Sequence, residues 1–377
     1  MDTAEQTCVY RLTPPTPAAL ASLAVCGPEA VRLVAQRFLP AGQRPLDEVP
    51  VGRVVFGHWL HAGGEEVVVT VRHPQRVDIH GHGGTAASQA VLDSLEQAGA
   101  RAGSWQEWLA EDQPPCLGRA AQQALVQART ERTAGILLDQ WQGGLEGEIQ
   151  QVLACLQHHQ TNAGLAQIDQ LLARCSLGRH LTEPFRIVLA GQPNVGKSSL
   201  INAILGYPRA IVTDQAGTTR DVVTASTAID GWPVVLSDTA GLRRGADELE
   251  VAGVQLAVTA LAAADLVVLV FDQSQAWTAA DQRLCQAWPD ALRVYNKCDL
   301  PAAAGRRPAG LPTSATRQLG LPELLGQIAG RLVPVVPLPG AGVPWTAAQE
   351  FGLQEAREAC RAGDLSAAEA ALRGILG

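Results

Sequence analysis

The spacing of apolar side chains changes character along the chain, and each change marks a different kind of structure. Up to about residue 112, short valine-rich runs alternating with polar positions predict strands over 51–60, 66–72 and 76–79. Helical spacing predicts helices over 28–38 and 85–98, so this part is expected to be an α+β module. From 115 to 180 no proline follows Pro115, and leucine and alanine recur at helical intervals, which predicts two or three helices ended by Glu183-Pro184. From 186 onward, strand-like runs (186–190, 222–228, 233–237, 266–271, 292–295, 311–313) alternate with helix-like ones (197–205, 251–262, 279–287, 322–332). Such alternation predicts a mostly parallel sheet, and Asp230-Gly231 between two strand runs adds one antiparallel hairpin. Residues 333–344, with four prolines and two glycines, read as a stiff linker before a helical pair at 346–360 and 365–376. The expected domains are therefore 1–112, 113–183, 184–332 and 333–377.

Composition narrows the class. At 47% hydrophobic and 18% charged the chain is globular, and a net charge of -8 excludes a surface dense in cations for wide, non-specific nucleic-acid binding. The eight cysteines are scattered without a Cys-x-x-Cys pair, as expected of reduced thiols rather than a disulfide framework. Early acids, one arginine at Arg11 and three prolines by Pro17 do not resemble a secretory leader, and 266–271 is far too short to cross a bilayer. A cytoplasmic protein with no membrane attachment is expected. His73, His80 and His82 lack a further ligand at suitable spacing and are expected to be ordinary polar strand residues. His158-His159 is expected on a helix surface, and the eight tryptophans are expected to pack rather than stack on bases.

Basic residues are distributed unevenly. Of 29 lysines and arginines only two are lysines, and both lie in candidate nucleotide motifs. Lys197 closes Gly191-Gln192-Pro193-Asn194-Val195-Gly196-Lys197-Ser198, between an apolar strand and a helix. In that context Gly191 and Gly196 let the backbone wrap a phosphate, the helix N-terminus favours an anion, Lys197 reaches the β/γ oxygens and Ser198 offers its hydroxyl to Mg²⁺. Asn194, Val195, Gly196, Lys197, Ser198 and Ser199 are the expected phosphate contacts. Lys297 centres Asn296-Lys297-Cys298-Asp299 at a strand end, where the Asp299 carboxylate matches guanine N1–H and the N2 amine, a donor pair adenine lacks. Ser314-Ala315 would donate backbone amides to the guanine O6. Asp238-Thr239-Ala240-Gly241 would hold Mg²⁺ through water at Asp238 and bond the γ-phosphate at Gly241, and Gly217-Thr218-Thr219 would complete the Mg²⁺ shell. Four motifs in this order predict a GTPase. Leu242 stands where Ras-type enzymes orient water with glutamine, so another group must do so; Glu250, Glu248 and Asp247 are candidates, and Asn194 could serve a monovalent cation.

These motifs, with the run from Ala210 to Asp221 and Asp238 to Arg243, resemble the MnmE (TrmE) family of tRNA modification GTPases; related Era and Der GTPases share much of this stretch. The flanks favour MnmE, since Asp78-Ile79-His80-Gly81-His82-Gly83-Gly84 is similar to its N-terminal domain and 130–143 to its helical domain. The resemblance implies a P-loop α/β G domain inserted in a helical domain, an N-terminal α+β domain that binds folate and dimerises, and G domains that pair across the dimer. It further implies K⁺ at Asn194, Thr213, Gln215 and Thr218, Mg²⁺ at Ser198 and Thr219, and Glu250 orienting water. It implies a flavoprotein partner, tRNA as substrate, and a folate one-carbon unit used on the wobble uridine. The chain departs from the pattern in several places. It ends Arg373-Gly374-Ile375-Leu376-Gly377 where the family has Cys-x-Gly-Lys, leaving Cys360 as the nearest thiol; it has no lysine outside the G domain to face folate; and it carries Asp78 where the family has glutamate. These departures weaken the expectation of a folate site, and of the tRNA chemistry with it. They leave as the alternative a divergent GTP-dependent switch in ribosome or RNA assembly.

Overall fold

The computed structural model describes residues 6–42, 44–61, 64–112, 116–207, 224–238 and 261–377, which fall into two compact units, Met1–Pro115 and Cys116–Gly377. The first unit is a seven-stranded sheet built from β1 (Cys8–Arg11), β2 (Leu20–Cys26), β3 (Phe38–Pro40), β4 (Val54–Trp59), β5 (Glu66–His73), β6 (Arg76–His82) and β7 (Arg101–Gly103), in the order β3-β4-β5-β6-β2-β1-β7. All pairings are antiparallel except β1 with β7. Helices α1 (Ala30–Ala35) and α2 (Thr85–Gln97) pack Leu33, Val34, Val91 and Leu95 onto Val9, Val25, Val69 and Ile79, and α3 (Trp105–Asp112) follows β7. The helix expected over 28–38 is shorter because Phe38 opens β3 instead. Strands β1 and β2 do not show in the sequence pattern because Val9, Tyr10, Ala24 and Val25 are buried in succession, which removes the polar alternation that marks a half-exposed strand. His80 bonds Ser22 Oγ at 2.9 Å and His82 meets Glu65 at 2.7 Å. Among the described residues no three metal-ligating side chains cluster.

The second unit opens with four helices, α4 (Leu117–Leu125), α5 (Glu131–Trp141), α6 (Gly144–Gln157) and α7 (Thr161–Arg179). That is one more than the upper expectation, because α6 and α7 are separated at His158–His159 without glycine or proline. His158 caps α6 and His159 takes φ = +56°, so the pair forms a turn rather than a helix surface. A six-stranded sheet follows, from β8 (Phe185–Ala190), β9 (Thr224–Ile229), β10 (Trp232–Asp238), β11 (Leu266–Asp272), β12 (Leu292–Asn296) and β13 (Leu311–Pro312), in the order β13-β12-β11-β8-β10-β9. It is parallel except for the β9–β10 hairpin, whose tip residues Asp230 (φ +51°) and Gly231 (φ +77°) both adopt the left-handed conformation a tight two-residue turn needs. Helices α8 (Lys197–Leu205), α9 (Ala279–Ala287) and α10 (Leu321–Leu332) accompany the sheet. The pair α11 (Ala347–Ala362) and α12 (Leu365–Leu376) shares one core with α4–α7 through Leu145, Ile149, Leu171, Leu353 and Leu372. No helix of the described residues is long and apolar enough to cross a membrane.

Residues 333–344, expected as a stiff linker, are fastened to the helices at Ala341, Gly342 and Val343. Gln140 donates to the Ala341 carbonyl at 3.0 Å and accepts from the Val343 amide at 3.0 Å; Glu148 accepts from the Gly342 amide at 2.6 Å; Arg174 donates to the Gly342 carbonyl at 2.7 Å. Gly178 lets this segment lie against α7, since a Cβ there would collide with the Pro344 carbonyl. Gln140 is 1% exposed. Gln140→Leu keeps the bulk and orphans the buried Val343 amide and the half-buried Ala341 carbonyl, so urea unfolding is expected to show a loss of about 2–4 kcal/mol. A loss below about 1 kcal/mol would mean that apolar packing, not this amide, fastens the segment.

Candidate nucleotide site

The site begins at the middle of the six-stranded sheet. β8 lies between β10 and β11, and Ile187, Val188, Leu189 and Ala190 are buried on both faces, so the chain leaving Ala190 emerges at the carboxyl edge of the central strand. Gly191 passes so close to the Val270 carbonyl that a Cβ would not fit, and Gly196, at φ = +93°, caps α8 where a Cβ would meet the Asn296 amide. The loop between them can therefore curl tightly enough for backbone amides to surround an anion. Lys197, 5% exposed, donates from Nζ to the carbonyls of Gly191 (3.2 Å) and Gln192 (3.0 Å) and lies 3.8 Å from Asp238 Oδ1. Ser198 Oγ donates to Asp238 Oδ2 at 2.7 Å. Lysine, hydroxyl and carboxylate thus meet at the loop where α8 begins, the arrangement a hard cation and a phosphate require.

A second set of contacts joins this loop to the ends of β11 and β12. Asn296, 2% exposed, donates from Nδ2 to the Val195 carbonyl at 3.0 Å and accepts from the Ala315 amide at 3.1 Å, so one side chain links the phosphate loop to the loop after β13. Lys297, at φ = +63°, donates to the Asn194 carbonyl at 2.8 Å and pairs with Asp272 Oδ2 at 2.7 Å. Burial pushes the Asp272 carboxyl up, but the Lys297 ammonium and the Ser274 hydroxyl and amide outweigh it and hold its pKa below the ordinary value. The Cys298 amide donates to the Thr313 carbonyl at 2.9 Å, which ties the loop carrying the exposed Asp299 to the one carrying the buried Ser314 and half-buried Ala315. Asp299 is the accessible carboxylate here, whereas Asp272 is occupied.

The structure therefore brings Asn194, Val195, Gly196, Lys197, Ser198, Asp238, Asn296, Lys297, Asp299, Ser314 and Ala315 to one edge of the sheet, and Ser199 lies in the first turn of α8. Thr213, Gln215, Gly217, Thr218, Thr219, Thr239, Ala240, Gly241 and Glu250 lie outside the described residues. Two side chains act in ways that the motifs do not specify. Asp272 has a usable sequence signal, a carboxylate closing the strand paired in parallel with β12 and opposite Asn296. Gln192 has none, because its partners are 86 and 89 residues away. Cys360 lies within α11, 4% exposed, and burial pushes its thiol pKa up, which disfavours the thiolate.

Comparison with known proteins shows what the chain is similar to. A family model described as a 50S ribosome-binding GTPase matches residues 186–297. The tRNA modification GTPase MnmE of Synechococcus sp. RCC307 is 34% identical over 347 residues, covering 81% of this chain and 76% of its own. That of Synechococcus sp. CC9311 is 36% identical, over 76% of this chain and 70% of its own. Among solved structures, Aquifex aeolicus Era bound to GDP and aluminium fluoride is 26% identical, covering 45% of this chain and 66% of that one, with a TM-score of 0.32. Identity at this level over most of both chains, with a P-loop GTPase sheet at its centre, shows that this chain belongs to the MnmE family of tRNA modification GTPases.

Proposed function

We propose that this GTPase is stimulated by K⁺ and serves tRNA wobble-uridine modification. On this reading a G domain (184–332) is inserted in a helical domain (113–183 and 333–377), and the N-terminal domain (1–112) dimerises; Asp78 and the absence of lysine outside the G domain argue against a folate one-carbon unit bound there. The observation that carries the nucleotide reading is Asn296, whose one amide ties the phosphate loop to the loop beside Asp299. Base recognition and phosphate binding thereby share a single rigid frame. GTP would lie along this edge with its phosphates in the 191–198 loop and its guanine against Asp299, Ser314 and Ala315.

The hard oxygens of Ser198 and Asp238, 2.7 Å apart, suit Mg²⁺, with Ser198 and Thr219 as ligands and Asp238 acting through water. Asn194, exposed at the loop rim with φ = +63° and its carbonyl held by Lys297, suits K⁺, with Thr213, Gln215 and Thr218 completing the shell. Bound cations of this kind neutralise charge developing between the β- and γ-phosphates. Lys197 would contribute its fixed ammonium to the same oxygens, and Glu250 would orient the attacking water because Leu242 has no polar group to do so. GTP and GDP are the small-molecule partners, tRNA the macromolecular substrate, a flavoprotein the partner enzyme, and the cytoplasm the site of action.

The rival reading, a switch in ribosome or RNA assembly, draws on the 50S-binding description, which concerns residues 186–297 alone, whereas the MnmE relatives span most of the chain. Purified protein is expected to hydrolyse GTP faster in KCl than in NaCl, and a deletion strain to lose modified wobble uridine from its tRNA nucleosides. Equal rates in the two salts would remove K⁺ from the reading, and an unchanged uridine profile would remove tRNA modification in favour of the switch.

A further inference from the structure

The phosphate loop is held at Gln192 by two residues that belong to no nucleotide motif. The Gln192 amide donates one hydrogen to Thr278 Oγ1 at 2.8 Å and the other to Asp281 Oδ1 at 2.9 Å. Those two partners are not loose surface groups. Thr278 and Asp281 form the capping box at the start of α9: the Asp281 amide donates to Thr278 Oγ1 at 3.2 Å, while the Thr278 amide and hydroxyl donate to Asp281 Oδ2 at 3.0 and 2.7 Å. Asp281 is 8% exposed, and with both oxygens accepting, its carboxylate fixes which way the Gln192 amide must face. The reverse orientation would set the Gln192 carbonyl oxygen against a carboxylate.

Gln192 also acts through its backbone, because its carbonyl is one of the two that receive Lys197 Nζ. The side chain anchors to α9 and the carbonyl aims the ammonium. We propose that Gln192, held by Thr278 and Asp281, is a positioning residue for GTP hydrolysis. It fixes the first residues of the phosphate loop so that Lys197 stands where charge develops during phosphoryl transfer. A small misplacement of such a group costs turnover far more than it costs ground-state binding.

The test is a charge exchange across the contact. Gln192→Glu sets a carboxylate against Asp281, and Asp281→Asn combined with it restores a donor–acceptor pair. Gln192→Ala removes the tether without adding charge and carries the test should Gln192→Glu not fold. GTP turnover is expected to fall about ten- to a hundredfold in Gln192→Ala and Gln192→Glu while the Kd for GDP changes by less than about threefold. The double variant Gln192→Glu/Asp281→Asn is expected to recover to within about threefold of the parent. Parental turnover in Gln192→Ala, or a GDP affinity that falls in step with turnover, would overturn the proposal. So would a folded double variant no faster than Gln192→Glu alone.

Discussion

Exchanging Lys197 for arginine is expected to lower GTP turnover by about a thousandfold, although the positive charge is kept. The reason is steric and directional. The Lys197 stem is buried, and its ammonium sits among the carbonyls of Gly191 and Gln192 and the carboxylate of Asp238, with separations of 3.0 to 3.8 Å. A point donor with three rotatable hydrogens satisfies groups arrayed on several sides. A planar guanidinium directs five hydrogens in one plane and needs more width than the two carbonyls leave. Arginine must therefore push the loop open or withdraw its head, and either response removes the cation from the β/γ oxygens. Steady-state hydrolysis with a thermal melt as control decides the matter. A folded Lys197→Arg protein that keeps more than about a tenth of the parental turnover would show that charge alone is what this position supplies.

Composition carries the same distinction between the two cations, since a chain with 29 basic residues confines its two lysines to these two sites. Much of the α/β part is legible in the sequence for similar reasons. α8 and α9 begin where the helical spacing places them, because Gly196 and Thr278 stand at their N-caps, the latter in a capping box. The β9–β10 hairpin is legible because Asp-Gly states its own turn type. Structure that depends on burial from both sides is not legible: β1 and β2 lose their alternation, and the 333–344 segment carries loop composition while being stitched into the helices by Gln140, Glu148 and Arg174. The site divides along the same line. Residues acting through a local motif can be named from the sequence. Asp272 is legible only as a carboxylate closing its strand, whereas the Gln192 side chain acts on Thr278 and Asp281, which only the tertiary fold brings near.

The second large effect is expected at Asp299, where Asp299→Asn should weaken GDP and GTP binding by about a hundred- to a thousandfold. On the proposed reading the carboxylate accepts two hydrogens from guanine, and asparagine replaces one acceptor with a donor that faces the N2 amine. The mismatch leaves two donors opposed, which costs more than a lost bond. Asp299 is exposed, so the substitution itself should change folding stability by no more than about 0.5 kcal/mol, and the loss can be assigned to recognition. The same change carries a gain that a merely damaged site could not produce. Xanthine presents a carbonyl oxygen where guanine has the amine, and the amide introduced at position 299 can donate to it, so xanthosine diphosphate should bind the variant better than it binds the parent. Calorimetry with both nucleotides separates the outcomes. Parental GDP affinity would remove Asp299 from base recognition. A loss for GDP without any gain for xanthosine diphosphate would place its role in holding the 296–299 loop, leaving the Asn296 bridge between the phosphate loop and the Ala315 amide to carry guanine selectivity through backbone groups alone.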